Sequence, residues 1–290
     1  MTKKFNINCP ICNSNKAVRI LKENKFNIYK CLSCDLQFVW PQPDKEALKK
    51  TYSKKYFHGN ILTPKGYEDY HQLNHELIRE AKKKIKFIEK YPVGKNLLDI
   101  GCGTGIFLEE ARRRGYKING NEISSYTIKA LKQKNISCFP GAVEGGILPK
   151  KRFDIVTAWD VIEHIPKIKM AFKEIVGSLK ESGYLFLTTP DTQSIDSFLM
   201  GKSWYNYKKA PEHVLFLNRK SVTELFKASN LKLISVTQWG FYRNLNFLIK
   251  RLPLPRSISN PLLSILKLLR LSDLTFFFPF TDFLVVAKKN

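Results

Sequence analysis

A chain of 290 residues that is 43% apolar, with 20 Phe and 4 Trp, can bury a core and falls outside the intrinsically disordered class. It carries 49 Lys/Arg against 25 Asp/Glu, a formal charge of +24, and the excess is not confined to one tail: 12 basic residues oppose 4 acidic ones in 1–58, and 8 oppose 2 in 241–290. That balance leaves two readings open, an anionic partner (RNA, a phospholipid surface or a phosphorylated substrate) and ordinary solvated lysine faces. No run reaches the roughly 18 apolar residues of a membrane span, and MTKKFNINCP lacks an apolar leader core, so a cytoplasmic protein is expected.

The first feature in chain order is Cys9-Pro-Ile-Cys12 and Cys31-Leu-Ser-Cys34, two C-x2-C turns separated by 18 residues. Two such turns aim four thiolates at one point, the tetrahedral shell of Zn2+. With all four ligands drawn from protein the centre would be closed, hence structural. Two disulfides are the competing reading, disfavoured in a reducing compartment. Residues 17–21 and 26–29 read as short strands, so 1–43 is expected to form a zinc ribbon. Residues 44–94 read as a helical linker and lid, with a charged helix pattern and an aromatic cluster (Tyr52, Tyr56, Phe57, His58) and then a helix over 74–91. That helix has Leu77, Ile78, Ala81, Ile85 and Ile88 on one face and is ended by Pro92 and Gly94.

The most informative stretch is Lys95 to Ser124. Leu97-Leu98-Asp99-Ile100 is a short apolar strand, residues 101–105 alternate three glycines, 106–114 reads as a helix, and a second strand ends at Glu122. Glycine lets backbone approach a ligand and take positive φ at low cost. A dinucleotide fingerprint would need a third glycine where Ile106 stands, so it fails. What stands is D-x-G-x-G-x-G: Asp99, Gly101, Gly103, Gly105. This resembles motif I of the class I S-adenosylmethionine (SAM) methyltransferases. The resemblance implies that Asp99, Gly101, Cys102, Gly103 and Gly105 wrap the amino-acid and ribose parts of SAM, and that Glu122, followed by Ile123, holds the ribose.

Further elements follow at the intervals of that family. A helix over 124–134 leads to a strand at 136–139 and then Gly141-Ala142-Val143-Glu144, where the family usually places an aspartate against adenine. Ala142 stands in its place, leaving adenine to Ala142 and Val143 backbone or to Glu144. The fourth strand, 153–159, runs into Asp160-Val161-Ile162-Glu163-His164. This resembles the segment that lines the methionine end of SAM and the acceptor pocket in ubiquinone-type methyltransferases. Two acids and a histidine within five residues also offer a divalent-cation site at Asp160, Glu163 and His164, and a helix cap is the competing reading.

A helix at 170–179 and a strand at 184–189 precede an aromatic, lysine-rich insertion at 192–210, the usual place of an acceptor lid. Glu212-His213 resembles sugar methyltransferases, which makes His213 the candidate base, with His164 and Asp160 beside it as candidate catalytic residues. A helix at 221–229 and strands at 231–239 and 283–287 complete the pattern. Between the last two strands lies an amphipathic insertion at 241–280, with Asn260 and Pro261 expected to start a helix and Phe276 to Phe280 forming a cluster. A basic amphipathic helix of this kind can lie on an anionic membrane, so peripheral contact through 244–280, on the inner face of the membrane, is one expectation.

The resemblance implies an α/β, Rossmann-like, mostly parallel seven-stranded sheet over 95–290, with SAM at the carboxyl ends of its strands. The ribbon would be a separate module. The implied activity is SAM-dependent methyl transfer to a small molecule, a sugar of polysaccharide biosynthesis or a lipid-linked or isoprenoid-type compound. Two alternatives stay open: an RNA methyltransferase that grips phosphates with ribbon and lysines, and a SAM-binding adaptor without turnover.

Overall fold

The computed structural model describes residues 7–43, 74–227, 229–249, 254–269, 271 and 274–290. The aromatic cluster at 52–58 and most of the expected linker lie outside the described residues.

Strands β4 (Asn96–Ile100), β5 (Lys117–Glu122), β6 (Cys138–Pro140), β7 (Phe153–Trp159), β8 (Leu179–Pro190), β10 (Leu231–Asn244) and β11 (Thr275–Lys289) form one sheet. Its order is β10-β11-β8-β7-β4-β5-β6. β4 to β8 pair in parallel, and β11 runs antiparallel to both its neighbours. The inner strands are apolar runs because both of their faces are covered. Alternate residues go to opposite sides. Leu97, Ile155, Phe186, Leu284 and Val286 pack with helices α1 (Asn74–Ile88) and α2 (Ile106–Arg113). Leu98, Val156, Leu185 and Val285 pack with α4 (Ile168–Ser178) and α7 (Arg219–Lys227). Helix α3 (Ser125–Gln133) joins β5 to β6.

The ribbon is not separate from this core. Its strands β1 (Ala17–Glu23), β2 (Phe26–Cys31) and β3 (Gln37–Trp40) are continued by β9 (Leu215–Phe216), which pairs with β3 through Phe38↔Leu215. Cys9, Cys31, Cys34, Leu36 and Phe38 share one buried cluster with Leu98 and Val156. Asp35 takes hydrogen bonds from Asn218 and Lys220, and Tyr207 donates to Gln37 (2.6 Å). The insertion at 192–210 also turns toward the ribbon. It carries the short helices α5 (Ile195–Met200) and α6 (Tyr205–Lys208). Trp204 and Tyr207 are buried with Ile28, Val39 and Phe216, which places their rings under the ribbon rather than over a ligand site.

The last hairpin differs from expectation. β10 and β11 continue past the expected ends at 239 and 283, and Phe276, Phe277 and Phe278 pair with Arg243, Tyr242 and Phe241. The phenylalanines are therefore strand residues. The tip holds α8 (Leu245–Ile249) and α9 (Arg256–Leu268), and α9 begins after Pro255, one turn before Asn260, so Pro261 lies inside the helix. Helix α1 is fastened to the hairpin: Lys83 donates to the Gly240 carbonyl (2.7 Å) and Glu80 accepts from the Tyr242 N–H. The Lys83 ammonium lies 3.9 Å from the Trp239 ring centre and 4.1 Å from that of Phe277, and burial lowers its pKa to about 8. At Gly240 a Cβ would collide with the Phe278 carbonyl, so this crossing requires glycine.

Candidate active site

β4 ends at Ile100 and the chain turns through Gly101, Gly103 and Gly105, all at positive φ (64°, 54° and 81°). A Cβ on Gly101 would meet Val161 at 2.7 Å, and one on Gly105 would meet Ile136 and Leu131 at 2.8 Å. The loop is held from β5. Glu122 accepts from the backbone N–H of Gly103 (2.9 Å) through one oxygen, and from those of Ile123 (2.7 Å) and Ser124 (2.9 Å) through the other. Burial raises the pKa of Glu122, and these three bonds oppose the rise. Asn121 donates to the Phe139 and Gly141 carbonyls, fixing β5 against β6.

A cleft open to solvent lies on this loop. Of the residues picked out by sequence, Asp99, Gly101, Cys102, Gly103 and Asp160 line it. Gly105, Glu122, Ile123, Ala142 and Val143 do not; Glu122 stands behind the loop with both oxygens engaged by backbone. Asp99 accepts from Thr157 Oγ1 (2.6 Å), and burial holds its carboxyl at about 7. Asp160 sits at φ 56°, a conformation costing on the order of 1–3 kcal/mol for a non-glycine residue. Thr188 fixes it: the Thr188 hydroxyl donates to its carboxylate (2.7 Å) and the Thr188 carbonyl accepts from its N–H (3.1 Å).

Beside Thr104, Ile106 and Phe107 of the loop and α2, the lining comes from α1 (Leu77, Glu80, Ala81, Lys84) and from Trp159, Trp239, Phe241, Arg243 and Asp282. Sequence reading did not find these. Lys84, 4.8 Å from the Trp159 ring centre, is the nearest thing to a visible signal, a basic residue on the cleft-facing side of a helix before motif I. The hairpin residues had none, because the expected strand ends excluded them.

His164 and His213 come together, but away from the cleft. Their rings meet edge to face at 4.5 Å. Burial, then Lys209, lowers both pKa values, that of His164 to about 4. His164 Nδ1 lies 2.9 Å from the Glu212 carbonyl, which can only accept, so Nδ1 carries the hydrogen and Nε2 keeps its lone pair. Glu163, buried with its pKa raised chiefly by that burial, completes a group whose ligand atoms lie within 4.8 Å of one another. The expected trio is thereby corrected: His213 takes the place of Asp160, whose carboxylate is turned to Thr188. The four ribbon cysteines form a second such group. Cys9–Cys34 and Cys12–Cys31 Sγ pairs are 3.5 Å apart, near the ~3.8 Å edge of a tetrahedron with Zn–S bonds of ~2.3 Å. The Cys34 hydrogen bond pulls the Cys9 thiol down to about 5.

A methyltransferase-domain family model matches residues 73–236, more than half of the chain. The chain belongs to the SAM-dependent methyltransferases. The ubiquinone biosynthesis O-methyltransferase of Coxiella burnetii (strain Dugway) is 26% identical over 168 residues, covering 53% of this chain and 71% of that protein. The mitochondrial ubiquinone biosynthesis O-methyltransferase of Schizosaccharomyces pombe is 35% identical over 106 residues, covering 33% and 38%. In structure, a SAM-dependent methyltransferase of Archaeoglobus fulgidus matches with a TM-score of 0.51 at 21% identity, covering 76% of this chain and all of that one, which establishes the shared fold.

Burial raises the Asp99 carboxyl to about 7, and a cationic ligand stabilises its ionised form. SAM, with a net positive charge, should therefore bind more tightly as pH rises from 6 to 8, by at most about tenfold per pH unit. Calorimetric titration reads this directly, and a flat affinity over that range contradicts it.

Proposed function

We propose that this methyltransferase carries the SAM methyl group to a hydroxyl of a small molecule, a sugar or a lipid-linked or isoprenoid-type compound. One observation carries the reading: Trp159, Asp160, Trp239 and Phe241 line the same cleft as the glycine loop, aromatic walls suited to a compact acceptor rather than an RNA chain. The names of the Coxiella and yeast relatives agree with an oxygen acceptor. Bound SAM supplies a methyl group on a good leaving group. The chain's own work is alignment, worth up to ~7–11 kcal/mol. Gly101, Cys102 and Gly103 offer backbone to the cofactor, Glu122 keeps that backbone in place, and Asp99 and Lys84 flank it with opposite charges.

The fit of the ribbon cysteines supports a structural Zn2+ on Cys9, Cys12, Cys31 and Cys34. Neutral imidazoles beside a carboxylate support a divalent cation on Glu163, His164 and His213, where it would brace β7 against the ribbon segment. The tip of the hairpin exposes Leu268 (82% of its surface), Ile265, Leu274, Phe276 and Phe277 in a segment where 8 basic residues oppose 2 acidic ones (241–290), and its occupant is an anionic phospholipid surface.

Labelled methyl transfer from SAM into extracts of the source cells tests the acceptor class: label should enter the organic-extractable or small polar fraction, and loss of label on RNase treatment would overturn it. Metal analysis of the purified protein should find one zinc that Cys34→Ser removes. A second divalent ion should disappear in His213→Ala with the zinc unchanged. Co-sedimentation with vesicles containing phosphatidylglycerol should be lost when Leu268 and Phe277 become Ser; equal binding by this variant sinks the membrane assignment.

A further inference from the structure

The extended β10–β11 hairpin supplies one wall of the cleft. Trp239, Phe241 and Arg243 come from β10, and Asp282 from β11, where it stands opposite Trp239 on one side and Pro190 of β8 on the other. Asp282 is 8% exposed and lines the cleft. Its carboxylate lies among Asp160, Asp196, Arg243, Lys209 and Lys83. Burial first, then Asp160, raises its pKa well above the ordinary carboxylate range, with Arg243 and Lys209 opposing the rise. A buried carboxylate kept at elevated basicity inside a ligand cleft is the environment of a general base.

Two donors in the same cleft lack acceptors. Among the described residues, neither Trp159 Nε1 nor Arg243 Nε has a hydrogen-bond partner, and both are buried. Arg243 is otherwise well placed: Nη1 donates to the Tyr242 carbonyl (2.6 Å), and the guanidinium rests 4.3 Å from the Phe241 ring centre. A buried donor left unpaired costs on the order of 1–3 kcal/mol, so two of them on residues that line one cleft can each gain a hydrogen bond by turning to a ligand oxygen. The histidines cannot supply a base here, since they lie off the cleft.

We propose that Asp282 is the catalytic base of the methyl transfer, and that Arg243 and Trp159 hold a carboxylate, phosphate or carbonyl oxygen carried by the same acceptor. The acceptor class is thus a hydroxyl compound bearing a second, electron-rich oxygen. In the step, the hydroxyl proton passes to an Asp282 oxygen as the acceptor oxygen's electron pair forms the new O–C bond. The C–S bond breaks, its electron pair stays on sulfur, and S-adenosylhomocysteine leaves neutral at sulfur. Asp282 then returns its proton to water. The inference rests on the proposed transfer to a hydroxyl.

The test compares wild type, Asp282→Asn and Arg243→Met for S-adenosylhomocysteine release with the labelled acceptor fraction, and for SAM affinity by calorimetry. Asp282→Asn should slow turnover by about 10²-fold or more while SAM affinity stays within about threefold, which also shows that the variant is folded. The wild-type rate should rise with pH through the titration of Asp282, and that limb should vanish in the variant. Arg243→Met should raise the acceptor concentration needed for half-maximal rate more than it lowers kcat. Turnover of Asp282→Asn within about tenfold of wild type overturns the base. SAM affinity falling in parallel with turnover overturns it too, reassigning the hairpin residues to the cofactor. Label found on nitrogen or carbon in the wild-type product instead refutes the hydroxyl reading itself.

Discussion

Glu122 is the interaction on which the site depends. One buried carboxylate at the end of β5 accepts three backbone N–H groups, one from the glycine loop and two from the start of the segment leading into α3. A loop of three positive-φ glycines has a large entropy to lose on ordering, and those bonds hold it in a single shape before any ligand arrives. Because β4 and β5 are register neighbours, the same contact sets the loop over the carboxyl ends of the parallel strands, where ligands of open α/β sheets bind. The cleft is thus preorganised by protein atoms, and cofactor binding need not organise it.

Around that fixed half, the chain adds two structures that make the enzyme particular. The hairpin carries aromatic and charged side chains to the cleft and is fastened to α1 by Lys83 and Glu80, which ties the wall of the site to its outermost strand. The ribbon contributes β3 to a small sheet with β9, and that sheet runs directly into the segment carrying Glu212 and His213. Metal at the cysteines would therefore stiffen the layer beneath the strand ends, at a distance from the reacting atoms. Such an arrangement makes the ribbon a buttress for the catalytic domain.

The two histidines illustrate how chemistry and location come apart. Glu163, His164 and His213 have the residue types of a catalytic trio, yet they face one another inside the protein, with both imidazoles kept neutral. The carboxylates that do face the cleft divide by environment: Asp99 is braced by Thr157, Asp160 by Thr188 and Glu80 by the Tyr242 N–H, whereas among the described residues Asp282 is held by charges acting through space. That difference leaves Asp282 as the one most able to change its protonation during a reaction.

Features set by local chain chemistry were legible without coordinates. The spacing of Asp99, Gly101, Gly103 and Gly105 encodes a strand, a tight turn and a helix start within a dozen residues, and four cysteines in two C-x2-C pairs define a metal geometry whatever surrounds them. The seven-stranded sheet was legible through the resemblance that the glycine motif carries to the class I SAM methyltransferases, and the apolar runs agree with it, since both faces of each inner strand are covered. Tertiary structure decided what depends on distant partners. Phe276–Phe278 read as a cluster until their pairing with 241–243 made them strand, and Phe38 joined the ribbon to the core only through Leu215. Asp282 owes its basicity first to burial and then to Asp160, which follows the end of β7. Residues close in sequence report their own backbone preferences; the burial and electric field at a side chain are properties of everything folded around it.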